Sequence, residues 1–242
     1  MLERLAAFLV IVVGLALVVG LDVGGARTFM PGLLEGAVVT VQVTVLGALV
    51  AFPAALLGAF GKMSGIAPLR WIAVTYIEVF RGTSALVQLF WLYFVLPRFG
   101  VSIDAVTAAV TALGLNLGAY GAEVVRGAIV AVPRGQWEAA TALNMSRGLA
   151  MRRIVLPQAF VAMLPPWGNL LIELLKATAL VSLITLSDIA FRAQQMNQVT
   201  LATTEIFTLV LFLYLAIALL ISAGIRWLES VFGRGLSRGR AA

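Results

Sequence analysis

The chain has 242 residues, 62% of them hydrophobic and 12% charged, with a mean hydropathy of +1.04. Soluble domains carry about a quarter of their residues as charges, so this is an integral membrane protein. Cysteine and histidine are absent, which excludes disulfides, metal sites built on either residue and histidine acid–base catalysis; the net charge of +6 comes without a long basic run, a pattern of membrane topology and not of nucleic-acid binding.

Residues 5–21, behind Glu3 and Arg4, form an apolar run at the short limit for a spanning helix. It reads as a retained first helix or, with the poor small-residue site Gly24-x-Ala26, as a cleaved signal. A span over about 33–60 contains Pro53, which membrane helices tolerate because neighbours satisfy the freed backbone groups. After a turn flanked by Lys62 and Arg70, the run 71–96 carries Glu78-Val79-Phe80-Arg81-Gly82-Thr83-Ser84-Ala85-Leu86-Val87-Gln88. The span 105–125 holds Asn116, Ala119-Tyr120-Gly121-Ala122-Glu123 and then Arg126-Gly127, with Gly114 and Gly118 spaced for close helix approach. The longest polar interruption is 135–157, with Glu138-Ala139-Ala140, Asn144, Ser146, Arg147, Arg152 and Arg153 before Ile154-Val155-Leu156-Pro157. A span over 159–184 is interrupted by Pro165-Pro166 and carries Glu173, Lys176 and Thr178. Residues 188–204 read as an extramembrane loop or short interfacial helix, and the span 206–223 leads to a basic tail. The count is six spans, or five without the first run.

Placing the Glu138 loop inside puts Lys62, Arg70, Arg126, Arg134, Arg147, Arg152, Arg153 and the tail on the cytoplasmic side, as the positive-inside rule requires. Ionisable residues within spans cost about 2.5–3.5 kcal/mol each, so they call for partners or a water-filled path. Glu78 with Arg81, Glu123 with Arg126, and Glu173 with Lys176 are each three apart and can meet on one helix face. These are candidate structural ion pairs, and some are candidates for a midplane site for a zwitterionic solute.

Glu138-Ala139-Ala140, three residues, Asn144, and nine more to Ile154-Val155-Leu156-Pro157 resembles the cytoplasmic EAA loop of ABC importer permeases. Asn144 stands where that family has glycine, and asparagine tolerates the left-handed backbone a tight turn needs. The stretch from Glu78 to Gln88 is similar to a Glu-x-x-Arg-Gly-Thr-Pro-x-x-x-Gln pattern of the polar amino acid importers, with Ser84 in place of the proline, and 119–127 resembles their Ala-Tyr-x-Ala-Glu-x-x-Arg-Gly. The resemblance implies an all-α integral membrane protein with the type I ABC importer permease fold. Five core transmembrane helices follow an extra N-terminal one, arranged as residues 1–28 (apolar helix and short loop), 29–230 (transmembrane domain, coupling loop 133–157) and 231–242 (cytoplasmic basic tail). It assigns ATPase coupling to Trp137, Glu138, Ala139, Ala140, Asn144, Arg147, Leu156 and Pro157.

The same resemblance implies ABC ATPase subunits as partners, which hold ATP and Mg, while this chain binds no cofactor and has no catalytic residues. A second permease subunit, identical or paralogous, and an extracytoplasmic solute-binding protein that delivers near 188–204 complete the assembly in a bacterial inner membrane. The chain has no G-x-x-x-x-G-K-[ST] phosphate loop, in keeping with ATP chemistry on a separate polypeptide. Lys176-Ala177-Thr178-Ala179-Leu180 resembles a Lys-Asp/Asn/Ser-Thr-Ser-Leu motif near the translocation path, and Ala177 in place of a polar residue points to a neutral or zwitterionic solute. Asn116, Glu123, Lys176 and Thr178 are therefore the expected substrate path, with Glu78, Arg81, Arg126 and Glu173 as structural partners. The expected solute is an amino acid or an amino-acid-like compatible solute such as ectoine. An ion-coupled secondary transporter or a membrane-embedded enzyme are the alternatives; the chain shows neither an internal repeat nor an acidic cluster.

Overall fold

The computed structural model describes residues 23–237, and every regular element among them is helical. The apolar run 5–21 and the arginines at 238 and 240 lie outside the described residues. In chain order the elements are α1 (Val23–Met63), α2 (Ala67–Gly82) and α3 (Ala85–Phe90), the last continued by a π turn (Trp91–Val95) and a 3-10 turn (Leu96–Phe99). Then come α4 (Ala105–Val130), α5 (Arg134–Ala142), α6 (Arg147–Ala150), a π turn (Met151–Val155), α7 (Leu156–Ala177), a 3-10 segment (Thr178–Ile184), α8 (Ile189–Thr200) and α9 (Thr203–Ser237). Four continuous stretches have the length and composition to cross a membrane: Arg27–Met63, Ala105–Val130, Arg147–Ile184 and Thr203–Gly233. Joining α2 to α3 makes a fifth, so the five expected core spans are present.

Several boundaries differ from the sequence expectation. No loop separates residue 28 from residue 29, because α1 runs unbroken from Val23 for 41 residues, roughly 60 Å and about twice the hydrocarbon thickness. The run 71–96 is not one helix: it bends by 104° between Gly82 and Ala85. Pro165 and Pro166 lie inside α7 and do not interrupt it. For 188–204 the short-helix alternative holds: α8 spans Ile189–Thr200, and its first turn is capped by the Asp188 carboxylate accepting from Phe191 N at 2.9 Å. The tail boundary at 231 falls within α9, which continues to Ser237.

Helix α4 is the hub. Its Ala108, Ala109, Ala112, Leu113, Leu117, Ala122 and Val125 are buried against α1, α2 and α7. The glycine pair is needed here, since a Cβ at Gly114 would lie 2.8 Å from Val50 Cβ and one at Gly118 would lie 2.7 Å from Tyr76 Oη. Small residues let the α1 and α4 backbones come together, the usual basis of helix association where lipid removes the hydrophobic incentive. A second apolar cluster (Leu33, Ile189, Ala193, Ile206 and Leu209) gathers the start of α1, α8 and the start of α9 at the opposite end from the α1 terminus that carries Lys62.

Candidate functional site

The polar loop is built as a helix with a defined stop. Helix α5 ends with Asn144 N donating to Thr141 O at 2.9 Å and Met145 N donating to Ala140 O at 3.0 Å, while Asn144 takes φ 55°. This is the paired closure of a Schellman motif, with asparagine supplying the left-handed residue that glycine more often supplies. Ser146 then restarts the chain as the cap of α6, its hydroxyl accepting from Leu149 N at 3.3 Å.

The coupling residues divide into two groups. Glu138, Ala139, Asn144, Arg147 and Pro157 are exposed. Trp137 packs half-buried on the main core, Leu156 does likewise, and Ala140 is buried, so these three help hold the loop to the bundle. The most outward-facing large apolar side chain of the loop is Leu143, 75% exposed, which no sequence motif singles out because its position relative to the core is set by the tertiary fold.

Around the bend between α2 and α3 lies a cavity of about 300 Å³, walled by Thr83, Ser84, Asn116, Tyr120, Glu173 and Ala177 among others. The break leaves Phe80 O without its helical donor, and two amides replace it: Asn116 Nδ2 donates at 2.8 Å and Gln88 Nε2 at 3.0 Å. Gln88 Nε2 also donates to Thr83 Oγ1 at 2.6 Å, and Asn116 Nδ2 to Gln88 Oε1 at 3.2 Å. Thr83 and Ser84 are extended at ψ 151° and 135°, so the bend forms without a proline. At the rim the Arg81 guanidinium sits 5.3 Å above the Tyr120 ring, a cation–π contact that keeps a positive charge beside the cavity. Glu173 on the facing wall is exposed and makes no ion pair among the described residues.

The four expected path residues do not converge. Asn116 lines the cavity, but its amide is committed to the helix break. Thr178 is fully buried, with its hydroxyl donating to Leu175 O at 2.7 Å. Lys176 lines a different hollow of about 470 Å³, walled by Phe207, Leu211 and Tyr214 of α9. Glu123 lines neither; it pairs with Lys62 at 2.6 Å and with Arg126 at 2.9 Å. Of the three spaced pairs, only Glu123 with Arg126 forms. Glu78 is drawn to Lys62 at 3.9 Å and Arg81 to Tyr120, while Glu173 lines the cavity at the bend and Lys176 the hollow against α9, with no ion pair between them. Thr83, Ser84 and Tyr120 belong to the sequence motifs without being candidate site residues there; the signal for the first two is a polar pair directly after Gly82, and Tyr120 reaches the cavity only through the packing of α4.

Comparison with known proteins decides the class. The sequence pattern of the family described as binding-protein-dependent transport system inner membrane component matches residues 47–234. The chain belongs to that family. As a permease of this kind it is a membrane transport component and not an enzyme. It is 47% identical over 202 residues, 81% of this chain and 85% of the other, to a probable amino-acid ABC transporter permease protein of Sinorhizobium fredii. It is 37% identical to the glutamine transport system permease protein of Escherichia coli, covering 83% of this chain and 92% of that one. Among solved structures it is similar to one described as an amino acid ABC transporter with histidines, at a TM-score of 0.81 and 37% identity, over 86% of this permease and 98% of that chain.

Proposed function

We propose that this permease moves an amino acid, delivered by an extracytoplasmic solute-binding protein, through an ABC importer driven by ATP and Mg on separate ATPase subunits. The observation that carries the reading is the cavity at the α2–α3 bend. A zwitterion needs opposite charges at its two ends. Glu173, free of other ion pairs among the described residues, meets an ammonium, and Arg81 on Tyr120 stands at the rim for a carboxylate. Ala177 on the wall adds no charge, which favours a neutral or zwitterionic side chain and leaves room for compatible solutes of the ectoine type. The relatives named as amino-acid and glutamine permeases support the same solute class.

The exposed face of α5, with Glu138 and Leu143, is the docking surface for the ATPase. Closure of the ATPase pair is passed upward as rigid-body motion. The Lys62 end of the bundle, which also carries Arg126 and the loop, then faces the cytoplasm, in line with the positive-inside count. A second permease copy or a paralogue completes the channel.

The test is uptake of labelled amino acids and ectoine into vesicles holding this chain with its ATPase and binding protein. Uptake that requires ATP and every component is the expected result and names the solute. Uptake driven by an ion gradient without the ATPase would replace this reading with a secondary transporter.

A further inference from the structure

Lys62, in the last turn of α1, has two carboxylates within reach on two different helices. Its Nζ lies 2.6 Å from Glu123 Oε1 on α4 and 3.9 Å from Glu78 Oε1 on α2. Glu123 is the better sheltered acceptor, with its side chain 21% exposed, and its other oxygen is held by Arg126 at 2.9 Å; the Glu78 side chain is 64% exposed. A lysine ammonium is a compact charge on a flexible stem, so about 1 Å of relative motion between α2 and α4 is enough to change its partner.

Position in the chain gives this choice a consequence. Along α4 the order is Asn116 and Tyr120 at the cavity, then Glu123 and Arg126, then the coupling helix beginning at Arg134. Along α2, Glu78 is followed by Thr83, which walls the same cavity. Helix α4 is packed over most of its length, whereas α2 buries only Ala73 and Ile77, so α2 is the element free to shift. Coupling between distant sites needs an element with two discrete arrangements that both sites bias, and a cation with two acceptors is one.

We propose that Lys62 is a positioning residue, a two-acceptor latch that passes from Glu123 to Glu78 when motion of the coupling loop shifts α2 against the packed α4, reshaping the cavity wall at Thr83 and Ser84. This deepens the importer reading above and rests on it. In the arrangement described here the latch is closed on Glu123.

The experiment uses the complete reconstituted importer and reads solute moved per ATP hydrolysed. Wild-type importer that shows no ATP-dependent uptake overturns the importer reading itself; working wild type isolates the latch. Glu78→Gln keeps the Lys62–Glu123 pair and removes the second acceptor, so transport per ATP is expected to fall about 5-fold or more, the lower end of typical coupling energies. Lys62→Gln is expected to do the same, Lys62→Arg to retain most of the wild-type ratio, and the Glu78→Gln/Lys62→Gln double variant to lose no more than Lys62→Gln alone. A Glu78→Gln importer with the wild-type ratio, or losses that add in the double variant, overturns the latch. Should Glu78→Gln fail to assemble, Glu78→Asp withdraws the carboxylate by one methylene; a lowered ratio is expected there too, and a wild-type ratio overturns the latch.

Discussion

Helices α4 and α9 are both apolar spans, yet 56% of the α4 span window is buried within the bundle and only 17% of the α9 window. The more hydrophobic helix is the less buried one. In water that order would be reversed, because burial is what apolar side chains gain there. In lipid, bulky apolar residues such as Leu211, Leu220 and Trp227 of α9 are at home on the outside, while alanine and glycine mark the faces where helices meet. The two helices also own different hollows: α4 contributes Asn116 and Tyr120 to a polar cavity, and α9 contributes Phe207, Leu211 and Tyr214 to an apolar one.

The sharpest way to break this contrast is to put bulk on both helices. Gly118→Leu would drive a side chain into Tyr76 Oη and Ala54 Cβ, already 2.7 and 2.8 Å from where a Cβ would sit, whereas Gly224 of α9 meets nothing within 4 Å. Overpacking at Gly118 is expected to cost more than about 3 kcal/mol and to leave little folded protein on size-exclusion in detergent. Gly224→Leu is expected to elute as wild type; equal losses at both sites would refute the assignment of α4 as the packed hub.

Next in size is the division between the hollows. Glu173→Gln removes one charge-assisted contact to an ammonium, a loss of about 1.5–3 kcal/mol or roughly 10- to 100-fold in apparent affinity, read as the concentration for half-maximal uptake. Phe207→Ala in the α9 hollow should leave that concentration within about 2-fold. A reversed pattern would move the solute site to α9.

The loop that follows α4 supplies a functional counterpart. Glu138→Arg places a cation on the exposed face of α5 and is expected to leave the permease folded while transport per ATP drops about 10-fold, as for other like-for-opposite charge changes at a docking face. Leu143→Ala should weaken ATPase co-purification, and Trp137→Ala should lower the thermal midpoint instead, since Trp137 packs inward.

The smallest effect concerns the start of α4. Asp104 caps the helix, and hydrogen bonds from the Thr107 hydroxyl and backbone amide hold its carboxyl below the ordinary carboxylate value. A lowered folded value means stability present in full above the unfolded value near ~3.9 and lost as pH falls through the folded one. The thermal midpoint should therefore decline slightly more on acidification in wild type than in Asp104→Asn, and by little, because the group is fully exposed.

How much of this is legible in the sequence varies by region. The coupling loop is, down to Asn144, because a helix stop is a local event: one residue must accept a left-handed backbone, and few types do. The bend at Thr83 is not, since no proline marks it and the donors that stabilise it, Asn116 above all, come from another helix. The charged pairs are half legible. A spacing of three tells which groups on one helix can meet, and it succeeds for Glu123 and Arg126 while failing for Glu78 with Arg81 and Glu173 with Lys176.

The amino-acid sequence by itself determined that this protein lives in a membrane, how many core spans it has and where the polar loop's helix stops, because composition, span length and local turn chemistry are properties of short stretches. Only the tertiary structure decided which charges neutralise one another and which stay available for a solute. Lys62 reaches Glu123 across 61 positions of chain, and Glu173 of α7 is left to face a cavity made by the bend between α2 and α3. An ion's best partner is the nearest opposite charge in space, and in a helical bundle that neighbour usually belongs to another helix.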